Sequence, residues 1–244
     1  MYHFFVTPED VSEGMVKITG ADVNHIKNVL RMKPGEMMLI SDGQGRDYCC
    51  AITEITDGQV LAEIREEQFE GTEPSSEFYL FQGLPKGDKM ELIIQKAVEL
   101  GVKEVIPVSA KRSVVKLDEK KAEKKIARWQ AISESAAKQS RRGIIPSVHS
   151  VMTFKQALEY AKTLDLNMIP YENFKDMTET RKVLEQVKAN QKIGIFIGPE
   201  GGFDVAEVEL AMAQGVHPVS LGRRILRTET AGMALLAVLM FRLE

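Results

Sequence analysis

The sequence predicts an α/β protein with a mainly parallel sheet, preceded by a small β-rich domain. From residue 78 onward, strand-like and helix-like runs alternate, which is typical of a layered α/β fold. Residues 1–65 instead hold short β-like runs between turn residues. A polar stretch with glycine and proline separates the two patterns. We therefore predict a β-barrel-like domain at residues 1–70, a linker at 71–77 and an α/β domain at 78–244.

The first domain is predicted from β-like runs and the turns between them. These runs are Met37–Ser41, Asp47–Thr56 and Val60–Arg65. Asp-Gly pairs at 42–43 and 57–58 separate the runs, and such pairs are strong turn signals. A short helix is predicted at Ala21–Val29, before a turn at Lys33–Glu36.

The second domain is predicted to alternate strands with helices. Its strands are predicted at Phe78–Leu84, Val102–Val108, Leu166–Ile169, Lys192–Ile197 and Val216–Leu221. Its helices are predicted at Asp88–Leu100, Asp118–Ser140, Thr153–Ala161, Thr178–Ala189, Asp204–Gln214 and from about Thr228 to Arg242. Gly101 stands where a helix commonly ends in left-handed backbone, and Asp204 is placed to cap the helix that follows it.

The balance of charge excludes a generally basic nucleic-acid binder. The 244 residues carry 32 Lys plus Arg against 35 Asp plus Glu, a net charge of −3. Net charge does not exclude a local basic face, because it governs solubility and long-range fields. Residues 1–77 carry a net charge of −9, whereas residues 111–142 carry +7. This asymmetry indicates two units with different partners.

Other sequence features narrow the class of protein. No apolar run approaches the roughly 20 residues of a membrane span, and the longest, Ala231–Phe241, is predicted to be a buried helix. The N-terminus lacks the basic and apolar segments of a signal peptide, so we expect a cytoplasmic protein. Cys49 and Cys50 are adjacent and the four histidines are scattered, so no metal site is predicted.

A glycine-rich turn follows a predicted strand in the motif IGIFIGPEGGF, residues 193–203. A strand that enters such a turn and then a helix exposes backbone N–H groups at the carboxyl end of the sheet, where open α/β sheets bind ligands. Gly201 and Gly202 permit positive φ or a close approach of the backbone to a ligand. The alternative is a tight strand-to-helix turn that binds nothing.

Three arginines follow the next predicted strand in the motif LGRRILRTETA, residues 221–231. Arg223, Arg224 and Arg227 indicate a surface that contacts an anion or RNA. Thr228 and Glu229 fit the capping of the helix that begins there. The alternative for the arginines is solvated charge paired with acidic side chains.

The helix predicted at Asp118–Ser140 carries most of the basic block. Cations recur on it at i, i+4 spacing, at Lys120, Lys121, Lys124, Lys125 and Arg128. Each lysine taken singly is interpreted as a solvated side chain, and Trp129 is predicted to face the core. Gln139, Arg141 and Arg142 precede a turn at the end of this helix, and they are predicted to contact phosphates.

A further basic segment follows the first strand of the second domain. Lys86 and Lys89 are candidates for RNA contact. The alternative is a helix N-terminus in which Asp88 and Glu91 form a capping box.

Four motifs together carry a resemblance to a known family. They are KGDKMELIIQKAVELGV (86–102), RWQAISESAAKQSRR (128–142), IGPEGGF (197–203) and LGRRILRTETA (221–231). In this order and spacing they resemble the bacterial RsmE family, the 16S rRNA uridine-N3 methyltransferases of the SPOUT class. The resemblance covers essentially the whole chain. It implies a PUA-like β-barrel domain that binds RNA, and a SPOUT-type parallel sheet whose C-terminal part forms a trefoil knot.

The resemblance also implies an activity and its partners. The cofactor would be S-adenosyl-L-methionine, and the chain would act as a homodimer without a metal. The substrate would be a uridine in the decoding region of 16S rRNA, within the 30S subunit. The alternatives are a SPOUT methyltransferase that acts on another RNA, and a non-catalytic RNA-binding assembly factor.

Site residues follow from the matched motifs. The residues implied to bind the cofactor are Ile169, Pro170, Ile197, Gly198, Pro199, Glu200, Gly201, Leu221, Gly222, Ile225, Leu226, Arg227 and Thr228. The residues implied to contact RNA are Lys86, Lys89, Gln139, Arg141, Arg142, Arg223, Arg224, His3 and Arg31.

The implied chemistry needs a cation beside the uracil ring. Uridine N3 must lose its proton to become a nucleophile, and a cation would stabilise the anion that forms. Arg227 is the first candidate, with Arg141 or Arg142 second. Glu200 or Glu229 could act as a base, but a capping role is equally consistent with the sequence.

Two positions depart from the family pattern. Arg223 stands where the family commonly has proline, which leaves that loop freer and adds a cation. His3 precedes the aromatic pair where the family often has a basic residue, so its charge would depend on pH.

Overall fold

The chain folds into two compact units. The computed structural model describes residues 1–68 and 71–243, without the side chains of Gln68 and Glu119. The predicted domain limits at residues 70 and 244 thus lie outside the described residues. The first unit consists of the described part of Met1–Glu73 together with Ala137–Ile145, and the second of the remaining described residues.

The first unit is built on a six-stranded sheet. Its strands are β1 (Tyr2–Phe5), β2 (Val11–Ser12), β3 (Met15–Ile18), β4 (Met37–Ser41), β5 (Asp47–Ile55) and β6 (Val60–Gln68). The strand order is β1-β4-β5-β6-β3-β2. Strand β1 pairs with β4 in parallel, and the other neighbours are antiparallel. The three predicted β-like runs are β4, β5 and β6, whereas the shorter β1, β2 and β3 were not predicted.

The predicted helix of the first unit is present in two parts. An α-helix, α1, spans Ala21–Asn24, and a π-helical turn continues it over His25–Val29. Val23 and Ile26 point into the core of this unit, where they join Phe4, Val16 and Met38. The helix therefore closes one side of the sheet with apolar side chains.

Residues 137–145 belong to the first unit, although the sequence assigned them to the α/β domain. Arg142 is only 3% exposed. Its Nε donates to Glu73 Oε1 at 2.8 Å and its Nη2 to Glu73 Oε2 at 2.5 Å. The backbone N–H of Gly143 adds a bond of 3.0 Å to the same carboxylate. Lys138 Nζ lies 3.1 Å from both carboxylate oxygens of Asp22. These ion pairs join the segment to side chains that lie far from it in sequence.

The second unit is an α/β layer structure, as predicted. Its strands are β7 (Glu77–Gly83), β8 (Val102–Ser109), β9 (Ser147–Val148), β10 (Met152–Thr153), β11 (Leu166–Pro170), β12 (Lys192–Ile197) and β13 (His217–Val219). All the pairings are parallel, in the order β10-β8-β7-β12-β11-β13 with β9 also beside β8. The helices are α2 (Lys89–Glu99), α3 (Glu119–Ser140, whose last residues belong to the first unit), α4 (Phe154–Ala161), α5 (Met177–Glu185), α6 (Val205–Ala213) and α7 (Thr228–Leu243).

The core of the second unit lies on both faces of the sheet. On one face, the rings of Phe81 and Phe196 stack with a centroid distance of 4.3 Å, and Phe154 packs against them. Helices α2 and α7 pack against each other. Leu235 and Leu239 of α7 are buried. Because all the strands are parallel, their carboxyl ends share one edge, which is where a ligand site is expected.

Two predicted helix ends are confirmed and one cap is not. Gly101 ends α2 with φ at +89°, and the Asp204 side chain accepts from Ala206 N at 3.3 Å to cap α6. The capping box given as the alternative interpretation of Lys86–Glu91 is absent, because the Asp88 side chain makes no capping bond. Glu91 instead forms an ion pair of 2.8 Å with Arg128. Among the described residues, no helix is long and apolar enough to cross a membrane.

Candidate functional site

A cavity of about 740 Å³ opens at the carboxyl edge of the second unit's sheet. Most of its wall comes from the segments that follow three neighbouring strands, β11, β12 and β13. The residues that line it are Lys89, Pro170, Tyr171, Glu172, Lys175, Met177, Ile197, Gly198, Pro199, Glu200, Gly202, Phe203, Ser220, Leu221, Gly222, Arg223, Arg224, Ile225, Leu226, Arg227, Thr228 and Ala231. Its volume lies within the roughly 300–1,000 Å³ of small-molecule sites.

The glycine-rich turn after β12 forms one wall and closes tightly on itself. A Cβ atom at Gly198 would lie 2.9 Å from the backbone of Gly202 and Phe203, so the turn has no room for a side chain there. Gly202 has φ at +65°, a conformation that favours glycine, and its N–H donates to Pro199 O at 2.8 Å. Both features require the glycines that the motif contains.

A buried hydrogen-bonded chain ties three segments of the site together. Gln82, at the end of β7, donates from Nε2 to Thr228 Oγ1 at 2.9 Å. The Thr228 hydroxyl donates to Gly198 O at 2.6 Å. Gln82 is fully buried, and its Oε1 accepts no hydrogen bond from the described residues. Strand β7, the glycine-rich turn and the start of α7 are thus held in one register by three residues.

Acidic and basic side chains meet where α2 begins. Lys89 Nζ lies 2.9 Å from Glu200 Oε1 and 3.8 Å from Glu229 Oε2. The backbone N–H of Lys86 also donates to Glu200 Oε1, at 3.0 Å. Burial raises the pKa of Glu200, but the hydrogen bonds from Lys89 and the backbone outweigh it and hold that pKa below its ordinary value. Glu200 is therefore an ionised side chain occupied by cationic and amide donors.

Three arginines of the loop after β13 add positive charge to the lining of the cavity. Arg223, Arg224 and Arg227 are exposed, and no carboxylate among the described side chains lies in ion-pair distance of them. The neighbouring Ile225 is 83% exposed. The cavity mouth thus presents three available guanidinium groups beside an apolar side chain, a combination suited to phosphate and nucleobase contact.

The other side of the glycine-rich turn is braced by the segment after β8. Arg112 Nη1 donates to Gly201 O at 3.1 Å, and Lys111 Nζ lies 3.0 Å from Asp204 Oδ1. Lys111 also donates its backbone N–H to Glu207 at 2.8 Å. The pKa of Asp204 is lowered, chiefly by the hydrogen bond from Lys111. Two cations of the basic block therefore stabilise the turn from outside the cavity.

Most predicted cofactor residues line this one cavity. Those that do are Pro170, Ile197, Gly198, Pro199, Glu200, Leu221, Gly222, Ile225, Leu226, Arg227 and Thr228. Ile169 is instead buried in the apolar core, and Gly201 faces Arg112. Of the residues predicted to contact RNA, Lys89, Arg223 and Arg224 also line the cavity, whereas Lys86 contacts Glu200 through its backbone.

The remaining predicted residues lie in the first unit. Gln139, Arg141 and Arg31 are exposed there, whereas Arg142 and His3 are buried. The Arg142 guanidinium is bound to Glu73, so we do not retain the prediction that it contacts RNA or acts in catalysis. His3 Nε2 lies 2.7 Å from Ser41 Oγ, and burial lowers the His3 pKa, which favours a neutral ring.

Several site residues were not found by sequence reasoning. Gln82 ends a buried strand and carries no motif signal. Lys175, Met177, Phe203, Ser220 and Ala231 line the cavity without having been predicted. The position of these residues at or just beyond strand and helix ends was the only available signal, since carboxyl ends of parallel strands converge.

Comparisons with known families match both units. The profile of an RNA methyltransferase domain matches residues 72–240, and that of an RNA methyltransferase PUA domain matches residues 18–65. The ribosomal RNA small subunit methyltransferase E of Bacillus subtilis (strain 168) is 37% identical over 247 residues. The match covers 100% of this chain and 96% of that relative.

Solved structures share the fold over nearly the full length. A ribosomal RNA small subunit methyltransferase E from Neisseria gonorrhoeae, bound to S-adenosyl methionine, has a TM-score of 0.85 at 33% identity, covering 99% of this chain and 98% of that chain. A protein from Legionella pneumophila, in complex with the same cofactor, has a TM-score of 0.86 at 30% identity, covering 99% of this chain and 97% of that chain.

The α/β fold, its cavity and these likenesses define an RNA methyltransferase with an N-terminal PUA-like domain. Within this class, the chain belongs to the ribosomal RNA small subunit methyltransferase E family. The family predicted from the four sequence motifs is thereby confirmed.

Proposed function

We propose that this chain transfers a methyl group from S-adenosyl-L-methionine to N3 of a uridine in the decoding region of 16S rRNA, within the assembled 30S subunit. The observation that carries the proposal is the convergence of the glycine-rich turn and the arginine loop on one cavity. Full-length relatives at 37% and 35% identity are ribosomal RNA small subunit methyltransferases E, which supports the choice of RNA.

The residues present suit this cofactor. The backbone of the turn is closed at Gly198, and Gly198, Pro199 and Glu200 line the cavity. Backbone groups of the turn and of the loop at Leu221 would hold adenine, with Leu226 and Pro170 as apolar walls. When bound, the cofactor supplies an electrophilic methyl group on a sulfonium. The chain's own role is to orient the two reactants and to exclude water.

Arg227 is proposed to stabilise the uracil ring as N3 loses its proton. A guanidinium aimed at O2 or O4 favours the anionic ring, and Arg227 has no competing carboxylate among the described residues. Glu200 is a poor base, since its pKa is lowered by the donors that it binds. The proposal therefore assigns the chain an electrostatic role and names no general base.

The finer architecture is part of the proposal. We propose a SPOUT-type trefoil knot, because the segments after β11, β12 and β13 all meet at the cavity. We also propose a homodimer. Phe241 and Val238 of α7 and Met177 of α5 are 85%, 47% and 40% exposed, and a second copy of the chain would cover these apolar side chains. A cytoplasmic location follows from a ribosomal substrate.

Mass spectrometry of 16S rRNA from a strain that lacks the gene tests the substrate. The N3-methyluridine should disappear and return when the intact gene is restored. Persistence of the modified base would mean that the chain acts on another RNA. Calorimetric titration with S-adenosylmethionine tests catalysis separately, because a chain that binds rRNA without the cofactor would be an assembly factor.

A further inference from the structure

The basic face of helix α3 has no assigned role in the proposed reaction. At about 100° per residue, Lys120, Lys121, Lys124, Lys125 and Arg128 fall within about 140° of the helix circumference. Glu123 lies outside this arc. The five side chains therefore form one continuous cationic face, which we call the α3 face.

Only part of this charge is neutralised within the protein. Lys121 pairs with Asp118 at 2.9 Å, and Arg128 with Glu91 at 2.8 Å. Lys125 Nζ lies 5.8 Å from the centroid of the buried Trp129 ring. Lys120 and Lys124 are exposed, and no carboxylate of the described side chains lies within ion-pair distance of either.

The spacing of the cations on the α3 face destabilises helix α3. Lys120 and Lys124, Lys121 and Lys125, and Lys124 and Arg128 are like-charged i, i+4 neighbours. Each such pair destabilises a helix by roughly 0.2–0.5 kcal/mol. An anionic partner laid along the face would remove these repulsions. A merely solvated helix gains nothing from their concentration on one side.

The chain segment that leads into α3 also braces the proposed cofactor site. Arg112 and Lys111, which precede the helix, bind Gly201 O and Asp204 of the glycine-rich turn. The basic run is thus divided between two tasks. Its first two cations stabilise the turn, whereas Lys120 and Lys124 of the α3 face are exposed to solvent.

We infer that the α3 face is a phosphate-binding surface for the RNA substrate. This inference rests on the proposed function for the choice of RNA, and adds where the RNA backbone lies. RNA suits the face because a row of cations, two of them unpaired lysines, matches the repeating charge of a phosphate backbone and reads no sequence. Because the chain as a whole carries a net charge of −3, attraction of a polyanion depends on local cationic surfaces such as the α3 face.

Salt dependence of RNA binding tests the inference. The variant K120Q/K124Q removes the two unpaired charges and keeps helix-forming side chains. The matched control, K155Q/K188Q, removes two exposed lysines elsewhere in the second unit. The probe is a 16S rRNA transcript. For two single-strand phosphate contacts, the slope of log K against log salt should become shallower by about 1.4 in K120Q/K124Q only. K120R/K124R should retain the parental slope.

Three outcomes would overturn the inference. Equal changes of slope in both glutamine variants would show that the effect comes from net charge and not from the α3 face. An unchanged slope in K120Q/K124Q would show that these lysines do not contact phosphates. Weaker binding to intact 30S subunits with unchanged binding to the transcript would assign the face to a ribosomal protein. Calorimetry with S-adenosylmethionine runs in parallel, and equal cofactor affinity in all variants is expected. Absence of cofactor binding in the parent chain would defeat the proposed function while leaving the salt slope measurable.

Discussion

The Gln82 side chain donates a hydrogen bond of 2.9 Å to the Thr228 hydroxyl, 146 residues further along the chain. The Thr228 hydroxyl in turn donates a hydrogen bond to the Gly198 carbonyl oxygen. The two residues therefore couple the middle strand of the sheet to both loops of the proposed cofactor site. Their burial makes each unpaired polar atom costly.

Thr228→Val is expected to weaken this coupling while preserving side-chain shape. The change leaves Gln82 Nε2 with one acceptor fewer and Gly198 O without its hydroxyl donor, at a cost of about 1–3 kcal/mol in the free energy of unfolding. Cofactor affinity should fall as well. Urea denaturation and calorimetry measure the two effects. Thr228→Ser keeps the hydroxyl and serves as the control; if it is as damaging as valine, the hydrogen bond is not the cause.

Gly198→Ala should weaken cofactor binding, with little effect on the rest of the fold. The new Cβ would lie 2.9 Å from backbone atoms of Gly202 and Phe203, so the turn must open. We expect at least a tenfold loss of affinity, about 1.4 kcal/mol. Gly58→Ala is the matched control, because a Cβ there meets no atom within 4 Å. Isothermal titration calorimetry would contradict the prediction if both variants bound equally.

Arg227→Ala should reduce turnover far more than cofactor affinity. If its guanidinium stabilises the developing anion, kcat should fall by about 10²–10³. Single-turnover methylation of 30S subunits measures the chemical step, and calorimetry measures cofactor affinity. Arg227→Lys keeps the charge and should recover part of the rate. Equal losses of turnover and affinity would assign Arg227 to cofactor binding instead.

A hydrogen-bonded group of His149, Glu104 and Tyr160 in the second unit predicts that the free energy of unfolding depends on pH. His149 Nε2 lies 2.8 Å from Glu104 Oε2, which also accepts from the Tyr160 hydroxyl at 2.7 Å. The hydrogen bond to Glu104 raises the His149 pKa above 6.5, and the same bond lowers the Glu104 pKa below 4.5. The histidine's stabilisation is lost as pH rises through its raised pKa. The glutamate's is lost as pH falls through its lowered pKa.

His149→Asn should therefore cost most stability between about pH 4.5 and 6.5 and less at about pH 8.5. Urea denaturation across this range measures the difference from the parent chain. Tyr160→Phe removes a donor that stays protonated throughout, since burial raises the Tyr160 pKa further. Its cost should change little with pH. A flat profile for His149→Asn would contradict the assigned pair.

Arg142→Gln should destabilise the first unit, whereas Arg141→Gln should not. Arg142 is buried and holds the Glu73 carboxylate, and breaking a buried pair costs about 3 kcal/mol. Arg141 is exposed and has φ at +58°, a conformation that glutamine tolerates no worse than arginine. Thermal unfolding of both variants checks the prediction. Similar melting temperatures would show that the pair contributes no net stability.

The elements that the sequence predicted well are those with strong local signals. Lys192–Ile197 was predicted as a strand and is β12, because an apolar run ends at a glycine-rich turn. Met37–Ser41 is β4 with the predicted bounds, next to its Asp-Gly turn. Strand β2, with two residues, is too short to show alternation. A capping box of Asp88 and Glu91 was the alternative interpretation of the start of α2, but Asp88 makes no capping bond and Glu91 pairs with Arg128, 37 residues away.

The candidate site was predictable where its residues lie in contiguous loops. The loops at Gly198 and Leu221 follow parallel strands, whose carboxyl ends must converge. Gln82 was not predicted as a site residue, because its hydrogen-bond partner Thr228 is remote in sequence. Arg142 was misplaced for the same reason, since Glu73 lies 69 residues earlier and nothing local marks the pair. Long-range polar partners are decided by packing, which periodicity does not encode.

Residues 137–145 belong to the first unit although residues on both sides of them belong to the second, and this limits how the two units can be prepared separately. The chain crosses between its units after Glu73, after Ala136 and after Ile145, so no single cut yields two complete folding units. A fragment that starts at Pro74 would carry Lys138 and Arg142 without Asp22 and Glu73, the carboxylates that they bind in the first unit. A workable isolated second unit would need a short polar bridge in place of 137–145, and a workable first unit would need that segment supplied as a separate peptide or a fused tail.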